Sequence, residues 1–425
     1  MRHVIIGAGP AGVVAAEQLR KLDPECEIIM VSGEPEVPYS RMALPYLLVE
    51  QVEEQGTHLR KGEGHFDKHR IQVRTGVWVK SVDTQAKTVH FEGGDSLSYD
   101  KLLVATGSHP IVPPLPGVDR ENVHTCWTLE DSRHIIKRAK PGSKVVLIGA
   151  GFIGCIILEA LVNRKTHLTV VEAQNRMVPR MMNDQAGGLI KRWCEDKGVN
   201  VHVSTKVQSL DSGNGAHPLS VRLDNGSALD ADLVIVCVGV AANTGFLKDS
   251  GIKIDQGILV DRHLESSARD VFAAGDVCQG MDFNTGDFTV QAVQPTAADH
   301  GRIAASNMAG RTQRHQGSLN MNVLDTIGLI STSFGSWMGE EGGDSAELFD
   351  GDNYRYINLQ FLGDRLVGAS SLGMTDHVGV MRGLIQSRIR LRNGWKEKLS
   401  ADPTRLMEAY LANTQALGYN ATVVR

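Results

Sequence analysis

No two of the six cysteines stand close together in this chain: Cys26, Cys126, Cys155, Cys194, Cys237 and Cys278 are scattered singly. A zinc ribbon, an iron–sulfur ligand run or a dithiol centre needs paired spacings such as C-x-x-C, so no metal centre is expected. Free thiols in a reducing compartment are expected instead. Long apolar runs are missing as well. No stretch reaches the ~18 residues of a membrane span. The chain opens directly in a strand-like segment, without the charged and apolar regions of a signal peptide. Excess charge is missing too: 44 Lys plus Arg against 49 Asp plus Glu leave a net charge of −5, which gives no basic footprint for nucleic acid. These absences predict a cytoplasmic protein with no membrane and no nucleic-acid partner. Glycine, by contrast, is abundant at 45 residues, as tight turns and close backbone approaches to ligands require. A length of 425 residues accommodates two or three domains of about 150 residues.

The glycines are concentrated in two places. "HVIIGAGPAGVVAAEQLRKLDPECEIIMVSGE" opens the chain, and "VVLIGAGFIGCIILEALVNRKTHLTVVEA" begins at Val145. Each reads as strand, glycine turn, helix and second strand. In the first, Gly7, Gly9 and Gly12 form G-x-G-x-x-G around Pro10 and Ala11, where the helix begins. The first glycine permits the tight turn, the second lets the backbone approach a pyrophosphate, and the third lets helix and strand pack closely. The pyrophosphate is expected on the free amides and positive end of that helix. Glu34 closes the unit, placed to accept hydrogen bonds from a ribose. In the second unit Gly149, Gly151 and Gly154 repeat the spacing around Phe152 and Ile153, and Glu172 ends the next strand. An acid there favours an unphosphorylated ribose, hence NAD(H) over NADP(H), while Arg176 four residues on keeps NADP(H) open.

With these motifs in this order the chain resembles the two-dinucleotide-binding flavoproteins of the pyridine nucleotide–disulfide oxidoreductase class. "GAGPAG" is followed by "LLVATG" (Ala105, Thr106, Gly107) and "GAGFIG". "VCVGVAANTGFL" contains Gly239 and matches a GxxPNT stretch, with Ala242 in place of proline before Asn243 and Thr244. "VFAAGD" ends at Gly275 and Asp276. The resemblance covers residues 1 to about 310. It implies FAD in the first cradle and NAD(H) in the second, with the nicotinamide over the isoalloxazine and Asp276 bonded to the FAD ribityl chain. It also implies that the helix carrying Thr296, Ala297 and His300 turns its amino-terminal amides toward the flavin, where they stabilise negative charge.

The predicted fold is α/β, with two Rossmann-like dinucleotide-binding domains and a small carboxy-terminal α+β domain. The FAD domain is expected to be discontinuous, over 1–112 and 241–318, and the NAD(H) domain to span 113–240. Four prolines in "HPIVPPLPG" mark the crossover. From about Asn320 short strands give way to two amphipathic helices, so 319–425 reads as an interface or dimerisation-like domain.

Where the family divides, this chain lacks two of its reactive groups. Coenzyme A disulfide reductases and NADH oxidases or peroxidases carry a cysteine in an N-C-G-L-P-Y setting; here "PYSRMALPYLL" puts Met42 there. A thioether cannot ionise to a nucleophile or form a mixed disulfide. Tyr39 and Arg41 instead fit the Y-x-R of ferredoxin and rubredoxin reductases and of the flavoprotein part of NADH-nitrite reductases, and Arg41 is expected against the FAD pyrophosphate or flavin edge. Relatives also read G-x-E after the last glycine of the second cradle, where this chain has Gly154, Cys155 and Ile156. Glu159 is one turn further on, about 4.5 Å along the axis. Met42, Ile156 and His300 are all expected near the flavin.

The resulting expectation is an FAD-dependent oxidoreductase that passes electrons between NAD(H) and an external redox protein. Ferredoxin, rubredoxin or an iron–sulfur subunit are the partners it implies, in a homo-oligomer or a hetero-complex. A flavin subunit of an aldehyde oxidoreductase or nitrite reductase assembly is a tighter form of that reading. The basic run "RSRIRLRNGWKEK" offers a surface for an acidic partner. A non-catalytic assembly or regulatory flavoprotein, and a peroxide-forming NADH oxidase, are the alternatives.

Overall fold

The computed structural model describes residues 1–420. Along the chain the elements that position the sites are β1 (Arg2–Ile6), α1 (Pro10–Leu22), β2 (Glu27–Val31), β3 (Ile71–Arg74), β4 (Lys101–Val104) and β5 (Val123–His124). Then come β6 (Lys144–Ile148), α2 (Phe152–Asn163), β7 (His167–Val171), α3 (Asp184–Asp196), β8 (Asn200–His202) and β9 (Leu233–Val236). They are followed by β10 (Val271–Ala273), α4 (Gln294–Met308), β11 (Met321–Thr326), β12 (Leu329–Gly335), β13 (Asp344–Asp350), β14 (Arg355–Leu362), β15 (Arg365–Leu372) and α5 (Val378–Gln386). The chain divides into two compact units: 1–111, 127–132 and 240–318 form one, and 112–126, 133–239 and 319–425 the other.

The first unit is built on a parallel sheet in the order β10-β4-β1-β2-β3. "HVII", "EIIMV" and "KLLV" are near-continuous apolar runs because a parallel sheet is covered on both faces. Val4, Ile5, Ile28, Ile29, Leu102 and Leu103 are accordingly at most 1% exposed. Removing one such side chain from water contributes about 1.5–3 kcal/mol. From β1 the chain steps outward to β2 and β3, then returns on the other side of β1 as β4. That reversal opens a crevice at the carboxyl ends of β1 and β4, where ligands of such sheets bind.

The second unit repeats this plan with a parallel sheet in the order β8-β7-β6-β9-β5, and the reversal falls between β6 and β9. It also holds an antiparallel sheet, β11-β12-β15-β14-β13, followed among the described residues by three helices, α5, Trp395–Ala401 and Leu406–Asn420, where the sequence pattern suggests two. The basic run does not form one continuous helix. Its Leu391 donates to the Asp364 carbonyl, Lys396 pairs with Asp344, and Lys398 lies over the Trp395 ring.

Helices α1 and α4 cross in the first unit at Gly301, where a Cβ would lie 2.5 Å from the Ala11 carbonyl oxygen. Gly301→Ala is therefore expected to destabilise the protein by about 1–3 kcal/mol through overpacking. A lowered thermal midpoint together with reduced FAD content after purification would show it.

Candidate functional site

The two glycine turns are superposable in chemistry as well as in sequence. Gly7 donates its N–H to the Val31 carbonyl at 2.8 Å, and Ala105 donates to the Ile6 carbonyl at 2.7 Å. Gly149 donates to Val171 at 2.8 Å, and Cys237 donates to Ile148 at 2.8 Å. Gly7 has φ +113° and Gly149 φ +100°, values that L side chains rarely adopt. A Cβ on Gly7 would stand 2.1 Å from the Ala105 carbonyl oxygen, and one on Gly149 2.4 Å from that of Cys237. The third glycines are packed as tightly: Cβ atoms on Gly12 and Gly154 would lie 2.0 and 2.2 Å from the Gly7 and Gly149 carbonyls.

The second glycines differ in kind. Gly9 and Gly151 have ordinary extended backbone, and a Cβ on either would meet no atom within 4 Å. No side chain caps α1 or α2, and neither first turn holds an acid. Each cradle thus offers open space in front of free amides at the positive end of a helix, the shape and charge a pyrophosphate needs. The residues present fit a dinucleotide in both cradles.

Around the first cradle the motifs from distant parts of the sequence hold one another. Asn243 donates from Nδ2 to the Thr106 carbonyl at 2.9 Å, and Thr106 Oγ1 donates to the Asn243 carbonyl at 2.9 Å. Asn243 also donates its N–H to Gly107 at 2.9 Å. Gly275, at φ +78°, has Ala11 Cβ and Ala297 Cβ at contact distance from where its own Cβ would be (3.3 and 3.4 Å), so three small residues bring α1, the turn after β10 and α4 together. Asp276 accepts from Ser108 Oγ at 2.9 Å, and burial pushes its carboxyl above the usual range. Thr296 and Ala297 are buried in the first turn of α4, which no side chain caps.

Glu34 is gripped rather than free. Tyr39 donates from its hydroxyl to Oε2 at 2.6 Å, and Arg41 Nη2 donates to Oε1 at 2.7 Å. The Arg41 guanidinium, expected against the FAD pyrophosphate or flavin edge, donates also to Tyr39 Oη at 2.9 Å and to the Trp127 carbonyl at 2.7 Å. It lies 5.5 and 5.4 Å from the Tyr39 and Trp127 ring centroids. Trp127 and Ser108 escaped the sequence reading. Trp127 lies 86 residues from Arg41 and belongs to no motif. Ser108 follows Gly107 directly and was within reach of the "LLVATG" signal.

His300 is 3% exposed. Its Nε2 meets Ser318 Oγ at 3.0 Å, and its ring lies edge-on to His315 at 4.8 Å. Burial lowers its pKa from 6.5 to about 3, so the ring is neutral. Met42 is 49% exposed in a 3-10 turn, Arg41–Ala43.

In the second cradle Glu172 is 8% exposed and accepts from the amides of Ala150 at 2.7 Å and Gln174 at 2.8 Å. Arg176 is fully engaged: it donates to Asp184 at 2.7 Å, to Asn175 at 2.9 Å and to the Met182 carbonyl at 2.8 Å. Ile156 and Glu159 are both half-buried on α2. Burial of Glu159, with Asp325 near it at the end of β11, raises the pKa of its carboxyl. Gly239, at φ +135°, ends this part of the unit.

Two parallel sheets that share the order of four strands, each ending in an open glycine cradle, define a protein that holds two dinucleotides. The chain belongs to the pyridine nucleotide-disulphide oxidoreductase family, whose model matches residues 1–301. FAD and NAD(H) are the cofactors of that family, and the chain is an oxidoreductase of it. It is 30% identical over 420 residues to the NADH-dependent phenylglyoxylate dehydrogenase subunit epsilon of Aromatoleum evansii, covering 98% of this chain and 96% of that one. It is 30% identical over 317 residues to rhodocoxin reductase of Rhodococcus erythropolis, covering 74% of each. The fold matches a chain of a covalent putidaredoxin reductase–putidaredoxin complex with a TM-score of 0.89, at 22% identity, over 97% of this chain and 99% of that one. Among the described residues no helix is long and apolar enough to cross a membrane.

Two outcomes follow from this geometry. Gly9→Ala should leave the apoprotein's thermal midpoint near wild type and weaken FAD binding about tenfold or more, roughly 1.4 kcal/mol, whereas Gly12→Ala should lower the midpoint itself. Isothermal titration with FAD beside a melting curve separates the two. The depressed pKa of His300 means that the unfolded state takes up a proton first as the pH falls below 6.5, so stability declines toward about pH 3. Between pH 7.5 and pH 5 this histidine alone should remove about 2 kcal/mol, and His300→Gln should flatten that part of the urea-midpoint profile.

Proposed function

We propose that the chain exchanges electrons between NAD(H) and an external iron–sulfur protein through bound FAD, as the flavin subunit of a larger assembly in the cytoplasm. The observation that carries this reading is the pair of open cradles of one build beside a position 42 that holds a thioether instead of a thiol. Two nucleotide sites without a nucleophilic relay leave the second electron partner to another protein. The near end-to-end likeness to a subunit of an NADH-dependent dehydrogenase supports the assembly. The likeness to a reductase of a named redox protein supports the partner class.

Bound FAD supplies two-electron exchange with the nicotinamide and one-electron exchange with a metal cluster. The chain's own residues supply binding and orientation. We assign the FAD pyrophosphate to the turn of Gly9, Pro10, Ala11 and Gly12, with the N–H groups of Gly9, Ala11 and Gly12 as its donors, and the ribose to Glu34, which Arg41 and Tyr39 hold in one rotamer. Arg41 thereby acts on the cofactor through Glu34. Asp276, with its raised pKa, presents a hydrogen-bonding carboxyl to the ribityl chain, and the uncapped amides of α4 face the flavin. We assign NAD(H) to the cradle of Gly149, Gly151, Phe152, Ile153 and Gly154. Glu172 places its carboxyl group at the ribose end, and Arg176 is turned toward Asp184, so NADH is the preferred nucleotide.

Anaerobic mixing of the FAD-loaded protein with NADH in a stopped-flow spectrometer should bleach the flavin, and NADPH should do so at least tenfold less efficiently. Turnover should be rapid with a one-electron iron–sulfur acceptor and slow with oxygen. Absence of bleaching with NADH bound would overturn the reading, and fast oxygen consumption without an acceptor would replace it by an NADH oxidase.

A further inference from the structure

Outside both cradles, one group of metal-ligating side chains comes together among the described residues. It lies at the other end of the first parallel sheet. His3 sits on β1, Asp23 caps the carboxyl end of α1, and Cys26 immediately precedes β2. One ligand atom from each lies within 4.8 Å of the other two. The spacing 3, 23, 26 is no known metal motif, which is why the sequence reading expected no metal; the α1–β2 connection folds the loop back over the start of β1.

The second observation concerns His3 alone. Its side chain is 0% exposed, and neither ring nitrogen has a hydrogen-bond partner. Buried imidazoles ordinarily satisfy at least their N–H, so both nitrogens bare is an exception that asks for a cause. A metal ion on one nitrogen is such a cause.

We propose that His3, Asp23 and Cys26 bind one divalent cation of borderline softness, with zinc the best match, and that the ion is structural. One imidazole, one carboxylate and one thiolate are all zinc ligands, with bonds of about 2.0–2.3 Å. Such bonds place ligand atoms roughly 3.5 Å apart around a tetrahedral ion, so closing the triad from 4.8 Å takes a side-chain adjustment of about an ångström. The fourth position is left to water.

The surroundings suit this assignment. Burial holds His3 neutral, with its pKa lowered to about 4, and a ligand imidazole must be neutral. Asp23 and Asp100 face it, against Lys101 and the chain's amino terminus. Burial pushes the Cys26 thiol up, so binding releases one proton as the Sγ–H bond gives way to an Sγ–metal bond. Arg20 Nη1 lies 3.8 Å from Cys26 Sγ and donates to the carbonyls of Asp23, Pro24 and Cys26. It is placed as an outer partner that favours the thiolate and fixes the loop. The site is separate from the FAD cradle: His3 and Gly7 stand at opposite ends of β1, about 13 Å apart at ~3.3 Å per residue.

The test uses the full-length, FAD-loaded protein, stripped with a chelator and titrated with Co2+ and then Zn2+. One equivalent of Co2+ per chain should give a thiolate-to-metal charge-transfer band and ligand-field absorption at longer wavelength than the flavin, both removed by Zn2+. Cys26→Ser should abolish the charge-transfer band and weaken binding at least tenfold, and His3→Gln should weaken it to a similar extent, each with wild-type FAD content. If His3→Gln does not fold, Cys26→Ser decides the matter, because its position in a loop leaves the sheet intact. No uptake by the wild-type protein would overturn the proposal. So would an unchanged charge-transfer band in Cys26→Ser, which would assign the metal to another of the six thiols.

Discussion

The constraint on which the rest depends is a backbone contact with no room for a methyl group. At the carboxyl end of β1 the main chain must turn beneath the Ala105 carbonyl, and at the end of β6 beneath that of Cys237. Only a residue without a Cβ, at positive φ, makes that turn. Once it is made, the following helix starts directly over the sheet with its amides uncovered. The strand order then places the crevice where those amides point. The cradle is therefore less an added feature than the result of packing a helix closely on a strand.

Binding a dinucleotide requires fixed partners at its other end, and the first unit obtains them by spending charge internally. Glu34, Tyr39 and Arg41 form a closed set in which carboxylate, hydroxyl and guanidinium satisfy one another, with the Trp127 carbonyl completing the guanidinium's donors. Charge-assisted hydrogen bonds of this kind hold geometry more firmly than neutral ones. Asn243 does the same for the turn of Thr106 and Gly107 through its amide and backbone. Two motifs separated by more than a hundred residues thus act as one latch.

Much of this was legible in the sequence, because local chemistry decided it. The glycine spacings announced both cradles, and the apolar runs announced buried parallel strands. What could not be read was where the charged side chains turn. Arg41 belongs to a recognisable pattern, yet its partner Trp127 arrives from a distant loop, and only the tertiary fold sets the pairing. Arg176 carries a phosphate signal in the sequence, and only the fold shows that it pairs with Asp184. His300 lies on the expected helix, and that its side chain meets Ser318 and His315 is visible only in the fold, because a helix fixes position and not rotamer. The carboxy-terminal part yielded least: its alternating strands were evident, while the break of its basic run into turns was not.

The β11–β12 turn has a consequence for how this chain can be modified in evolution or by design. Ile327 occupies it at φ +53°, an unusual place for a β-branched residue. Trp193 of α3 donates to the carbonyls of Thr326 and Ile327 at 3.1 Å each. Asn183, the cap of α3, reaches Tyr356 on β14. The last hundred residues are consequently not an interchangeable module. A chimaera that swaps them for a relative's without the matching faces of α2 and α3 would strand an indole N–H on α3 and uncover the side of α2 that packs on β11, and the loss would be felt in the helix that carries the second glycine cradle.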